Sequence, residues 1–128
     1  MKLEIDRKAS LIVIPVNLVG KSASYIVNMA IDTGPTFVMI PWDVAEHLGY
    51  DPAISEERIS ITTASTVEKV PLITIREMEV LGRSKKNVKV AVHDLPPKSR
   101  VDGLLGLSFL NDFNLKLMFK KGYLELDG

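Results

Sequence analysis

Apolar residues recur at every second position through much of this chain of 128 residues. That period belongs to a half-buried β-strand, whose successive side chains point to opposite faces. Leu3 and Ile5 alternate with charges, and residues 11–19 are rich in β-branched side chains and end at Gly20-Lys21, a turn signal. Residues 23–31 read as the returning strand of a hairpin with an apolar interior. Pro15 lies inside the first strand and has no N–H, so its N–H side is expected at an edge or a bulge. Residues 36–40 read as a short strand and 41–49 as a short helix. Pro41 suits the first helical turn, Val44 and Leu48 share a face, and Gly49 fits a C-terminal cap. Further strands are predicted at 58–63, 67–75, 77–81 and 87–92, then a surface loop over 94–100 and a second short helix over 107–113. Strands at 114–119 and 123–127 form a terminal hairpin around Lys120-Lys121-Gly122. The expected fold is a single, mainly β domain over residues 1–128, closed like a small barrel and carrying one or two short helices.

A chain of this length buries a real core. Sixteen basic residues balance sixteen acidic ones, so net charge gives no reason to expect nucleic acid or an anionic membrane as a partner. Lys85-Lys86 and Lys120-Lys121 are pairs that read as decorating turns. There is no cysteine, which removes disulfide scaffolds, thiol nucleophiles and Cys-based metal sites. The first seven residues alternate polar and apolar, unlike a signal peptide. The apolar run 11–16 is far short of the ~20 residues a membrane helix needs. A soluble, cytoplasmic protein is expected, with no cofactor and no metal.

One tripeptide points to chemistry. Asp32-Thr33-Gly34 follows the apolar run that ends in Met29-Ala30-Ile31 and precedes Phe37-Val38-Met39-Ile40. A carboxylate in such a setting is costly unless it is hydrogen-bonded or protonated, so its presence asks for a reason. Gly34 is compatible with a crowded reversal and with close approach of another backbone. At ordinary residue frequencies the tripeptide arises by chance in roughly one chain in forty of this length, and an Asx-type turn between strands accounts for it structurally. A second segment adds weight: Leu104-Leu105-Gly106, two apolar residues and a glycine ahead of a short helix.

With these two segments in this order, the chain resembles the retropepsin-like aspartic proteases, within them the bacterial and archaeal single-domain group. The resemblance runs from about Ile12 to Leu126. It implies the barrel of that family and an endopeptidase activity in which Asp32 is the catalytic aspartate. It implies that Thr33 locks two subunits through hydroxyl-to-backbone hydrogen bonds, that Gly34 offers its N–H to the carboxylate, and that Leu104, Leu105 and Gly106 brace the turn from beneath. It makes Thr63, Ala64, Ser65 and Thr66 the tip of a flap that closes over a peptide or protein substrate. Hydrolysis by carboxylates needs one group to accept a proton and one to donate it. With a single Asp-Thr-Gly the chain holds half a site, so a homodimer joined through the active-site face is implied, with the terminal strands as further candidates for the interface.

Two positions depart from the family pattern. Pro35 stands where a small residue, Ala or Ser, is usual, leaving Thr36 as the nearby hydroxyl. The flap tip has no glycine, with Thr66 where one often occurs. These departures motivate a second expectation, a retropepsin-fold dimerisation or peptide-binding module that does not cleave. A third is a plain structural domain with an Asx turn at Asp32. Elsewhere, Gly106-Leu107-Ser108-Phe109-Leu110 lacks the final glycine of a nucleophile elbow. His47 and His93 lack ligand-like spacing and are given structural roles. Asp102 reads as the polar end of a strand, and Trp42 as a packing residue.

Overall fold

A computed structural model describes residues 1–62 and 64–128. It is mainly β. Ten strands are present among the described residues: β1 (Lys2–Glu4), β2 (Val13–Val19), β3 (Ser24–Ile31), β4 (Val38–Ile40), β5 (Arg58–Thr62), β6 (Val67–Val80), β7 (Arg83–Val92), β8 (Leu104–Leu105), β9 (Asn114–Met118) and β10 (Tyr123–Asp127). The helices are α1 (Trp42–His47) and α2 (Leu107–Leu110), with a 3₁₀ turn at Pro52–Ile54. Strands β1, β10 and β9 form one sheet in that order. The other sheet runs β2-β3-β8-β4-β7-β6-β5, and β2 also pairs with β6.

The β2–β3 hairpin follows from its alternation. Ile14, Val16 and Leu18 are fully buried while Val13 and Pro15 stay exposed. The Ile31 N–H bonds to the Ile12 carbonyl at 2.9 Å, so even-numbered β2 residues share narrow pairs with β3. The nitrogen of Pro15 therefore faces the β6 side, where pairing covers only Asn17–Val19. No ladder bond is lost there. Helix α1 ends as its glycine predicts. Gly49 has φ +97°, and its N–H and that of Tyr50 bond to the carbonyls of Glu46 and Ala45, closing a Schellman motif.

Two expectations change. The strands expected at 67–75 and 77–81 are one strand, β6. The β6–β7 ladder passes over Arg76 and Asn87 while keeping its register on either side. Asn87 has φ +57°, and the Arg76 N–H bonds instead to the Tyr50 hydroxyl at 3.0 Å. The inward phase of β6 slips by one residue at that point, which reads in sequence as a break. Lys85 and Lys86 do not decorate a turn. They pair with Met78 and Glu77 inside β7, and the turn is Leu81-Gly82, where both residues have positive φ, the geometry of a tight type I′ hairpin.

The main core joins β2, β3, β6 and β7 with Phe109 of α2 and with Leu124 and Leu126 of β10. A smaller cluster of Val70, Leu72 and Ala91 packs against Phe37, Ile59 and Ile61. No helix among the described residues is long and apolar enough to cross a membrane.

Candidate active site

Strand β3 delivers Asp32 to the edge of the core. The Asp32 N–H bonds to the Leu105 carbonyl at 3.1 Å, and the chain then leaves the sheet. The carboxylate, half-buried, accepts the Gly34 N–H on Oδ1 at 2.9 Å. Gly34 has no positive φ; what it supplies is space, since a Cβ there stands 3.1 Å from Asp32 Oδ1. The Asp32–Gly34 bond is also what an ordinary Asx turn makes. The difference lies beneath the turn.

Leu104-Leu105 forms β8, wedged between the strands that enter and leave the turn. It runs parallel to β3, with Ala30 opposite Leu104 and Ile31 opposite Leu105, and antiparallel to β4 through Met39. Both flanking glycines are required by contact. A Cβ at Gly103 meets the Met39 carbonyl oxygen at 2.6 Å, and one at Gly106 meets that of Phe37 at 2.5 Å and that of Pro35 at 3.0 Å. The Leu107 N–H donates to the Pro35 carbonyl at 3.2 Å. Ser108 completes the tie: its hydroxyl accepts the Val38 N–H at 2.8 Å and donates to the Lys89 carbonyl at 2.7 Å. Its own carbonyl accepts from Lys85 Nζ at 2.6 Å, and Lys85 also pairs with Asp112. The residue weighed and rejected as a nucleophile is thus a structural clamp between β4, α2 and β7.

Thr33 and Thr36 are exposed on the turn. A groove of about 570 Å³ runs from Gly34, Pro35, Thr36 and Phe37 to Ile59–Thr62 of β5, with Met39, His93 and Leu95 along it. Asp32 itself stands beside the lining. Its walls are largely apolar, as ligand clefts usually are. Strand β5 pairs only with β6 among the described residues, leaving its outer edge open. Ala64, Ser65 and Thr66 lie exposed on the bend after β5, and the Thr66 hydroxyl donates to the Val67 carbonyl at 3.4 Å. Thr63 lies outside the described residues.

The other candidates separate. Asp102 is exposed and lines a different cleft with Tyr25 and Trp42. Trp42 packs against the core. His47 packs against Tyr25 with the rings tilted and their centroids 4.8 Å apart. His93, by contrast, stands in the groove wall. Its Nδ1 faces the Asp94 carbonyl at 2.7 Å and its Nε2 faces Glu68 Oε2 at 2.9 Å. The hydrogen bond to Glu68 raises its pKa above 6.5, helped by the Asp94 carbonyl and opposed by partial burial. Spacing along the chain gave no sign of this pairing, because Glu68 is 25 residues away.

The sequence profile of the aspartyl protease family matches residues 14–109, from β2 to the middle of α2. The chain belongs to that family. The crystal structure of a retropepsin-like aspartic protease from Rickettsia conorii aligns with a TM-score of 0.75 at 23% identity, covering 99% of this chain and 89% of that one. The fold of this aspartyl protease family member is therefore retropepsin-like. An uncharacterized protein in the cobV 5' region of a Sinorhizobium species is 26% identical over 93 residues, 72% of this chain. The match spans 39% of that relative's length.

Proposed function

We propose that this chain is a homodimeric aspartic endopeptidase whose residues 1–128 act as one domain, with one Asp32 from each subunit. The observation that carries the reading is the Asp32 carboxylate held by the Gly34 N–H on a turn that β8 braces from below. Such bracing fixes a reactive group in place. It also explains why the Asp-Thr-Gly and Leu-Leu-Gly segments occur together. The β2–β6 pairing is read as closing the large sheet into a barrel that stiffens this support.

Across a two-fold axis the same loop meets its copy. Two carboxylates so close share one proton, because both cannot readily ionise. The ionised carboxylate takes a proton from a bound water, and the water oxygen attacks the scissile carbonyl carbon. The protonated carboxyl gives its proton to the carbonyl oxygen. Collapse of the tetrahedral species breaks the C–N bond: the departing amine takes a proton from the dyad, and a hydroxyl of the tetrahedral species gives one back, restoring the shared proton. The chemistry requires no more than two carboxylates and water. Thr33 and Thr36 support the active-site turns, and the β5–β6 hairpin serves as the flap. An extended peptide suits the apolar groove and the open edge of β5.

The second reading, a peptide-binding or dimerisation module without turnover, is favoured by Pro35, which has no hydroxyl to offer Asp32. Incubation with an unfolded protein separates them. The protease reading expects cleavage that Asp32→Asn abolishes. Binding without cleavage over a wide pH range supports the module, and cleavage that survives in Asp32→Asn removes Asp32 from the catalytic role.

A further inference from the structure

The β5–β6 hairpin reaches past the β6–β7 ladder, and Ile59, Ile61 and Val70 pack it against Phe37 and Ala91. The β6–β7 ladder ends at Leu72 opposite Ala91, and the hairpin continues beyond it through pairs from Arg58–Pro71 to Thr62–Val67. At its base, Lys89 Nζ pairs with Glu57 at 2.7 Å and the Ser55 hydroxyl donates to the Leu72 carbonyl at 2.6 Å. Farther out, a polar side-chain contact crosses to the end of β7: His93 with Glu68. Glu68 is opposite Ile61, one step from the last described pair. The same histidine lines the groove.

The ring chemistry gives this contact a direction. Both partners of His93 are acceptors, a backbone carbonyl on Nδ1 and a carboxylate on Nε2. A neutral imidazole carries one N–H and satisfies one of them; the imidazolium satisfies both. We propose that His93 and Glu68 form an acid-favoured catch that holds the β5–β6 hairpin against the end of β7, over the groove. Its consequence for cleavage rests on the protease reading; the catch itself does not. Other charged groups share its surroundings: Lys69 on β6, Arg58 on β5 and Asp94 beside the histidine. Arg58 donates to the Ala53 carbonyl and Asp94 accepts the Trp42 N–H, so each has a partner apart from the ring. The raised pKa of His93 agrees with the direction.

The test follows the His93 ring by NMR and the amide exchange of residues 58–71, between about pH 5.5 and about pH 8, where histidine charge changes. The wild-type protein is compared with Glu68→Gln, which keeps an acceptor and removes the charge. Hairpin protection, corrected for intrinsic exchange, is expected to fall about two- to five-fold with rising pH in the wild type, the size of one exposed ion pair. In Glu68→Gln the His93 midpoint moves down and the pH dependence of the hairpin flattens. An unchanged midpoint, or wild-type protection that does not respond to pH, overturns the catch. With a peptide substrate, KM is expected to rise with pH in the wild type more than in the variant. If the wild type cleaves nothing, the protease reading fails while the exchange result still decides the catch.

Discussion

The amide of Gly34 donates to Oδ1 of Asp32 across 2.9 Å, and a side chain on Gly34 begins 3.1 Å from that same oxygen. The glycine therefore both holds the carboxylate and leaves it room. Gly34 is exposed and its φ is not positive, so Gly34→Ala is expected to fold with stability changed by less than about 0.5 kcal/mol. On the protease reading, displacing Asp32 is expected to lower kcat/KM on the order of 10²-fold. Peptide kinetics and thermal melting on one preparation check both halves.

Gly106 gives the opposite pattern. A methyl there meets the Phe37 and Pro35 carbonyl oxygens, which belong to backbone that cannot swing aside. Gly106→Ala is expected to cost about 1–3 kcal/mol or more by overpacking, read as a lower urea midpoint at an unchanged slope.

Ser108→Ala removes a hydroxyl that serves two backbones. Val38 is fully buried, and its N–H loses its acceptor while the Lys89 carbonyl loses a donor. An unsatisfied buried group costs about 1–3 kcal/mol, so a destabilisation of that order is expected. Denaturant titration measures it. Because Val38 opens the strand leaving the Asp32 turn, activity falls with it.

Histidine linkage sets a pH dependence of stability. The folded-state pKa of His93 is raised above 6.5 by Glu68. Its contribution is therefore fully present below the unfolded value and is lost as pH rises through the folded one. The pair is partly exposed, so the change in unfolding free energy is expected to stay below about 1 kcal/mol. Urea titrations on either side of neutrality show it as a small loss at the higher pH. It is absent in His93→Gln.

Local rules made several elements legible. Gly49 stops α1, the alternation of Ile14, Val16 and Leu18 sets the face of β2, and Gly122 with φ +78° turns the terminal hairpin. What stayed hidden depends on partners distant in sequence. Two residues, Leu104 and Leu105, are a strand only because β3 and β4 flank them. Arg76 breaks the alternation of β6 without breaking the strand, because the Tyr50 hydroxyl takes its amide. In the candidate site, Asp32 and Gly34 were readable as a motif. The clamp by Ser108 and the pairing of His93 with Glu68 were not, since neither is encoded by spacing.

The central claim is that one site needs two copies of Asp32. Mixing wild-type and Asp32→Asn subunits at fixed total concentration, with time for exchange, tests it most directly. If both carboxylates are required, an equal mixture retains about a quarter of the wild-type peptide cleavage, because random pairing leaves that fraction of dimers with two aspartates. Retention of about half, falling in proportion to the wild-type fraction, contradicts a shared dyad.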